Sequence, residues 1–144
     1  MLSVPVVRLD ADLPLPVYAR PGDGGIDLRA RVAVTVAAGG GRVLVPTGLA
    51  VAIPPGYAGF VLPRSGLALR HGVTLANSPG LIDAGYRGEL AVVVINTDPD
   101  THFAVARGDR IAQLVVLAVE EVAWQPVAAL PPSERAGGFG HTGI

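Results

Sequence analysis

Asp83 and Tyr86 stand out as residues whose types and spacing could do chemistry. They lie in the run Gly80-Leu81-Ile82-Asp83-Ala84-Gly85-Tyr86-Arg87-Gly88-Glu89, where three glycines punctuate a passage between two apolar stretches. A carboxylate displayed on such a turn can accept a proton from water and aim the oxygen at an electrophile. The glycines predict a β-hairpin, because they supply the positive φ angles that tight hairpin loops need. Taken alone, the segment reads equally well as an ordinary hairpin.

Four further glycine-marked clusters carry polar groups suited to a phosphate or a metal. They are Asp23-Gly24-Gly25-Ile26-Asp27-Leu28, Pro63-Arg64-Ser65-Gly66-Leu67-Ala68, Arg107-Gly108-Asp109-Arg110-Ile111-Ala112-Gln113, and Gly137-Gly138-Phe139-Gly140-His141-Thr142-Gly143. Around Arg64 and Ser65 a guanidinium, a hydroxyl and backbone N–H groups can converge on phosphate oxygens. Asp27, beside two glycines, is also what a plain turn-capping aspartate looks like. In isolation Arg110 reads as a surface residue. Phe139 among glycines is a stacking ring on a flexible leash.

What must position these groups is legible in the valine- and leucine-rich runs between them. Strands are predicted at Val4–Leu9, Val32–Val36, Arg42–Pro46, Leu49–Ile53, Tyr57–Leu62, Glu89–Asn96 and Arg110–Val119, with at most one or two helical turns over Ser65–His71. Many short strands separated by proline and glycine turns predict an all-β fold, either a sandwich, a jelly roll or a distorted barrel. From Leu130 onward the composition turns to proline, serine and glycine, which cannot pack a core. The expected organisation is therefore a β-domain over residues 1–130 and a mobile C-terminal tail over 131–144.

Composition removes several function classes. With 144 residues, half of them hydrophobic, and a formal net charge of −1, the chain is long enough for one core and lacks a basic nucleic-acid surface. It has no cysteine, so thiol nucleophiles, disulfides and thiolate zinc sites are excluded, and a cytoplasmic setting is expected. No apolar run approaches the roughly 20 residues of a membrane helix, and no signal peptide is evident. All eleven basic residues are arginine, so phosphate contacts fall to guanidinium or backbone rather than to a P-loop lysine. His71, His102 and His141 are too scattered to suggest a metal site.

The five clusters, in this order, resemble those of the trimeric deoxyuridine triphosphatase (dUTPase) family of bacterial type, and the resemblance runs from about Val6 to the C-terminus. It implies a jelly-roll-like barrel and a homotrimer whose sites are shared between subunits. The implied reaction is attack of water on the α-phosphorus of dUTP, giving dUMP and pyrophosphate. Such an activity limits uracil in DNA and supplies dUMP for thymidylate synthesis. On this resemblance Asp83 activates the water, and Gln113 helps hold the reacting phosphate. Arg64, Ser65, Gly66 and Arg110 bind the phosphates, and Asp27 contacts a hydrated Mg²⁺ indirectly, through water. Asn77 matches the uracil edge, and Tyr86 packs on the deoxyribose face. The tail forms a lid in which Phe139 stacks on uracil while Arg135, His141 and Thr142 reach the phosphates. Here Arg135 stands one residue closer to Gly137-Gly138 than the family spacing, which predicts a weaker phosphate clamp.

Three rivals share parts of this pattern. A dCTP deaminase of the same fold is expected to carry a catalytic glutamate and Arg-Ser-Ser, whereas Ser65 is followed by Gly66. A nucleotide-sensing protein without turnover would not need Asp27, Asp83 and Gln113 together. A jelly-roll binding module would leave the five clusters as coincidental turns.

Overall fold

The computed structural model describes residues 1–133. Its elements are β1 (Val6–Arg8), β2 (Ile26–Arg29), β3 (Val34–Val36), β4 (Arg42–Val51), β5 (Tyr57–Leu62), α1 (Ser65–His71), β6 (Val73–Leu75), β7 (Gly80–Ile82), β8 (Glu89–Asn96), β9 (Phe103–Val105) and β10 (Arg110–Ala118). Two four-stranded antiparallel sheets, in the orders β1-β4-β8-β6 and β2-β10-β5-β7, make a jelly-roll-like all-β body, with a separate β3-β9 ribbon. Residues 119–133 follow the last strand without regular structure and are exposed.

The core follows from period-two patterning. In β8 the side chains of Leu90, Val92, Val94 and Asn96 are buried while the intervening residues are only partly covered. They meet Leu28 from β2, Val45 from β4 and Val61 and Leu114 from β5 and β10, so the two sheets bury their facing sides against each other. Truncating Leu28, Leu90 or Leu114 to alanine costs about 2 to 5 kcal/mol. The two buried polar residues among those described are both satisfied. Thr47 Oγ1 donates to the Leu90 carbonyl at 2.7 Å, and Asn96 Nδ2 donates to the Val36 and Thr101 carbonyls at 3.2 and 2.8 Å.

Three expectations are corrected. The runs Arg42–Pro46 and Leu49–Ile53 form one strand, because a register shift between Pro46 and Ala50, with Gly48 at φ 74°, absorbs the break that the proline announced. Strands β2, β6, β7 and β9 were not expected; each has only three or four residues, too few for alternation to show against the background. The segment Gly80–Glu89 is not a hairpin. β7 pairs with β5 in one sheet and β8 with β4 and β6 in the other, so residues 83–88 cross between sheets. Accordingly neither Gly85 nor Gly88 has a positive φ.

The helix is where it was expected. Arg64 precedes it in extended conformation, and Gly72 ends it in the left-handed region at φ 62°, donating its N–H to the carbonyls of Ala68 and Leu67.

Candidate active site

Asp27, Arg64, Arg110 and Gln113 meet because β10 lies between β2 and β5. Gln113 stands opposite Asp27 on one side and Leu62 on the other, so Arg64, two residues past Leu62, arrives at the same end of the sheet. Arg64 Nε donates to Asp27 Oδ1 at 3.1 Å, and Arg110 Nη1 donates to Asp27 Oδ2 at 3.2 Å. Arg64 Nη1 also donates to the Arg110 carbonyl at 3.2 Å. Part-exposed ion pairs of this kind contribute at most about 1 kcal/mol, so stability does not explain the cluster. Its effect is geometric: one carboxylate holds two guanidinium groups in place.

The surroundings keep this corner open and cationic. A cleft of about 250 Å³ is lined by Arg64, Leu67, Phe103, Asp109, Arg110 and Ile111, and a second, of about 180 Å³, reaches Asp27, Arg29 and Arg110 from the side of Pro14–Val17. The exposed Ser65 and the part-buried Gly66 lie in the first turn of α1, where backbone N–H groups have no intrahelical acceptor. Arg70 folds back over that turn, with its Nη2 2.8 Å from where a Cβ on Gly66 would stand. The sequence reading had not singled out Arg70, although its i+4 spacing from Gly66 was visible. Gly25 lets its strand approach Gln113, whose Cβ is 3.3 Å from the position a Cβ would take.

The loop after β7 has the opposite character. The Asp83 side chain is exposed and makes no hydrogen bond or ion pair among the described residues. The loop backbone is fastened instead. The Tyr86 N–H donates to the Asp83 carbonyl at 3.0 Å, and Arg87 Nη1 donates to the carbonyls of Ala84 and Tyr86 at 2.6 and 2.7 Å. The Tyr86 hydroxyl donates to the Glu89 carbonyl at 2.9 Å. Asn77 is exposed just ahead of β7, its Nδ2 3.4 Å from where a Cβ on Gly80 would sit.

Glu89, also missed by the sequence reading, anchors the far end of this loop. Its carboxylate accepts from the Gly48 N–H at 2.7 Å and pairs with Arg31 at 3.2 Å. Arg31 lies 3.9 Å from Asp10, whose two carboxylate oxygens also accept from Arg107 Nη2 at 2.9 Å each. Desolvation by itself raises the Asp10 pKa, but hydrogen bonds from Arg107 and the Asp12 N–H, with the charges of Arg107 and Arg31, hold it below its ordinary value. A charged residue opening an apolar strand was the one available signal for Glu89.

One chain does not bring the two groups together. Ile82 stands opposite Gly59, whereas Arg64 lies five residues further along from Gly59, a separation of roughly 15 Å at the usual strand rise. Asp83 and Tyr86 therefore sit at the other end of β5 from the Asp27, Arg64 and Arg110 cluster. Arg135, Phe139, His141 and Thr142 lie outside the described residues. Among the described residues no group of three or more histidines and carboxylates could hold a metal ion.

A sequence profile of the dUTPase family matches residues 11–143. The chain is 58% identical over 143 residues to the deoxyuridine 5'-triphosphate nucleotidohydrolase of Streptomyces coelicolor, covering 99% of this chain and 78% of that one. Its fold matches that of the Staphylococcus bacteriophage 80alpha dUTPase with dUPNHPP, with a TM-score of 0.91, 25% identity and full coverage of both chains. It also matches a mutant dUTPase of phage phi11 of S. aureus, described with a coordinated structural Mg(II) ion, at a TM-score of 0.82 and 22% identity over 89% of this chain and 98% of that one.

Proposed function

The chain belongs to the dUTPase family and hydrolyses dUTP, and we propose that it does so in a site shared between subunits. One observation supports this reading above the others: within a chain, the exposed carboxylate of Asp83 and the cationic cluster around Asp27 occupy opposite ends of β5. In-line attack on a phosphorus needs the activated water and the phosphate clamp within a few ångström of each other. A homotrimer that sets the Asp83 loop of one chain against the Asp27 corner of another meets that requirement.

In this assembly Asp83 takes the proton of a water as its oxygen attacks the α-phosphorus, and the pyrophosphate leaves from the far side. Arg64, Ser65, Gly66 and Arg110 hold the phosphate oxygens, and Gln113 orients the reacting group. Asn77 pairs with the uracil edge. Cytosine presents the reversed donor and acceptor pattern and would leave those groups unpaired. Tyr86 covers the deoxyribose face, where a 2′-hydroxyl would lose hydration without gaining a partner. The segment 131–144 is the lid of the domain 1–130, with Phe139 on the base and Arg135, His141 and Thr142 on the phosphates.

Magnesium fits this donor set as an ion carried chiefly by the substrate. Of the carboxylates at this corner, Asp109 accepts from the Ala106 N–H at 2.8 Å, and Asp27 has both oxygens engaged by guanidinium groups with lone pairs left to accept from a metal-bound water. When bound, Mg²⁺ neutralises charge on the triphosphate. A chain without cysteine also suits a cytoplasmic setting for this chemistry, and no described helix is long and apolar enough to cross a membrane.

The test is to incubate the purified protein with dUTP, UTP, dCTP and dTTP, measuring pyrophosphate, ammonia and native mass. Pyrophosphate from dUTP alone, at three times the chain mass, is the expected result. Ammonia from dCTP, or full activity in a monomer, would overturn the assignment.

A further inference from the structure

Two glycines flank Tyr86, Gly85 directly before it and Gly88 two residues after it, and the structure treats them differently. Neither has a positive φ, so neither backbone demands glycine. A Cβ on Gly85 would meet nothing within 4 Å beyond its own chain neighbours Ala84 and Tyr86, so it faces no other part of the fold. One on Gly88 would stand 2.6 Å from the Tyr86 hydroxyl oxygen and 2.8 Å from Cζ, closer than non-bonded atoms approach. The phenol thus lies directly over Gly88, with its hydroxyl held by the Glu89 carbonyl at 2.9 Å. The loop cannot readily move aside to accommodate a methyl group. Arg87 clasps the carbonyls of Ala84 and Tyr86, the Tyr86 N–H is bonded to Asp83, and the Glu89 carboxylate is fixed to Gly48 and Arg31. What can move is the ring of Tyr86, a residue 43% exposed.

We propose that Gly88 is a specificity-determining residue: by having no side chain it provides the seat that fixes the Tyr86 ring, and so sets how strongly ribonucleotides are refused. The proposal rests on the reading of Tyr86 as the cover of the deoxyribose face. A methyl at position 88 pushes the phenol off its seat and breaks the bond to Glu89. That opens space beside the sugar without altering Asp83 or the phosphate cluster.

The experiment compares kcat/KM for UTP with that for dUTP in four variants, with Tm and native mass recorded alongside. Gly88→Ala should raise the UTP-to-dUTP ratio by about tenfold or more, the scale on which a pocket distinguishes one small group. Gly85→Ala, the same substitution three residues away, should leave the ratio near wild type. Tyr86→Phe keeps the ring but frees it from Glu89, and should shift the ratio a few-fold in the same direction, about the worth of one hydrogen bond. Tyr86→Ala tests the underlying reading. An unchanged ratio there means that the tyrosine is not the sugar cover, whatever Gly88 does. A raised ratio in Tyr86→Ala with none in Gly88→Ala overturns the proposal, and so does an equal rise in Gly85→Ala and Gly88→Ala, which would mark a general loosening of the loop. Should Gly88→Ala fail to fold, an unchanged ratio in Tyr86→Phe overturns the seat on its own.

Discussion

The two ends of β5 solve opposite electrostatic problems. At one end Asp27 is spent on Arg64 and Arg110, so a pair of guanidinium groups waits in a fixed position. At the other, the Asp83 side chain has no partner among the described residues, and the hydrogen bonds around it run from Tyr86 and the Arg87 guanidinium to backbone carbonyls. The difference matches what each task requires. Binding a polyanion benefits from cations oriented in advance, because no reorganisation is then needed as the charge develops. Accepting a proton from water requires a carboxylate whose oxygens are not already occupied by guanidinium donors, so that a water can come within hydrogen-bond reach of them.

The largest effect should come from removing the base. Asp83→Asn keeps the shape and loses the proton acceptor, so kcat on dUTP should fall by at least about two orders of magnitude, with Tm and nucleotide affinity nearly unchanged. Near wild-type kcat at saturating Mg²⁺ would erase the functional half of the contrast.

Mixing chains probes whether the two ends work on different subunits. If the proposed trimer forms, Asp83→Asn and Arg64→Ala proteins should each be nearly inactive alone, while assemblies reconstituted from both should recover part of the wild-type rate through sites that draw one intact end from each chain. No recovery after verified subunit exchange would mean that both ends serve the same site from one chain.

A smaller effect separates the base stacking and phosphate clamping proposed for the C-terminal segment. Phe139→Ala should cost about 1 to 3 kcal/mol of dUTP affinity, the usual value of stacking on a base. Arg135→Ala should cost less, because its spacing from Gly137 is one residue short. Steady-state kinetics on dUTP decide this: a greater loss in the arginine variant would show that the shortened motif still clamps the phosphate fully.

The mildest effect concerns the ion pairs behind the loop. The pKa of Asp10 is lowered in the folded chain, so its stabilising contribution is complete above the ordinary aspartate value and is lost as pH falls below about 4, through the lowered one. Asp10→Asn should therefore lower Tm slightly at pH 7 and flatten its decline on acidification, as thermal melts between pH 3 and 7 would register. An unchanged acid dependence would remove Asp10 from the network that steadies Glu89.

Much of this molecule can be read from its residues. Tyr57–Leu62, Glu89–Asn96 and the helix Ser65–His71 are found where alternation, apolar runs and glycine stops predict them. The grouping of Asp27, Arg64, Arg110 and Gln113 was legible only as a set of motifs. Their approach depends on β10 pairing with both β2 and β5, a long-range register that no local pattern encodes. The hairpin expected at Gly80–Glu89 failed for a related reason. Glycine spacing reports where a chain can turn, whereas which strands pair across the turn is decided by burial. With Leu90, Val92 and Val94 committed to the β4 side, the chain must cross between the sheets.

The sequence by itself determined the all-β class, the absence of thiol and lysine chemistry, and the chemical kind of each motif, because these follow from residue identity and short-range periodicity. Tertiary structure alone decided that the cationic corner and the bare carboxylate lie at opposite ends of one strand, and that the Tyr86 phenol folds back over Gly88. Distances across a fold are set by sheet register and packing, and two glycines three residues apart are chemically identical until a ring is placed over one of them.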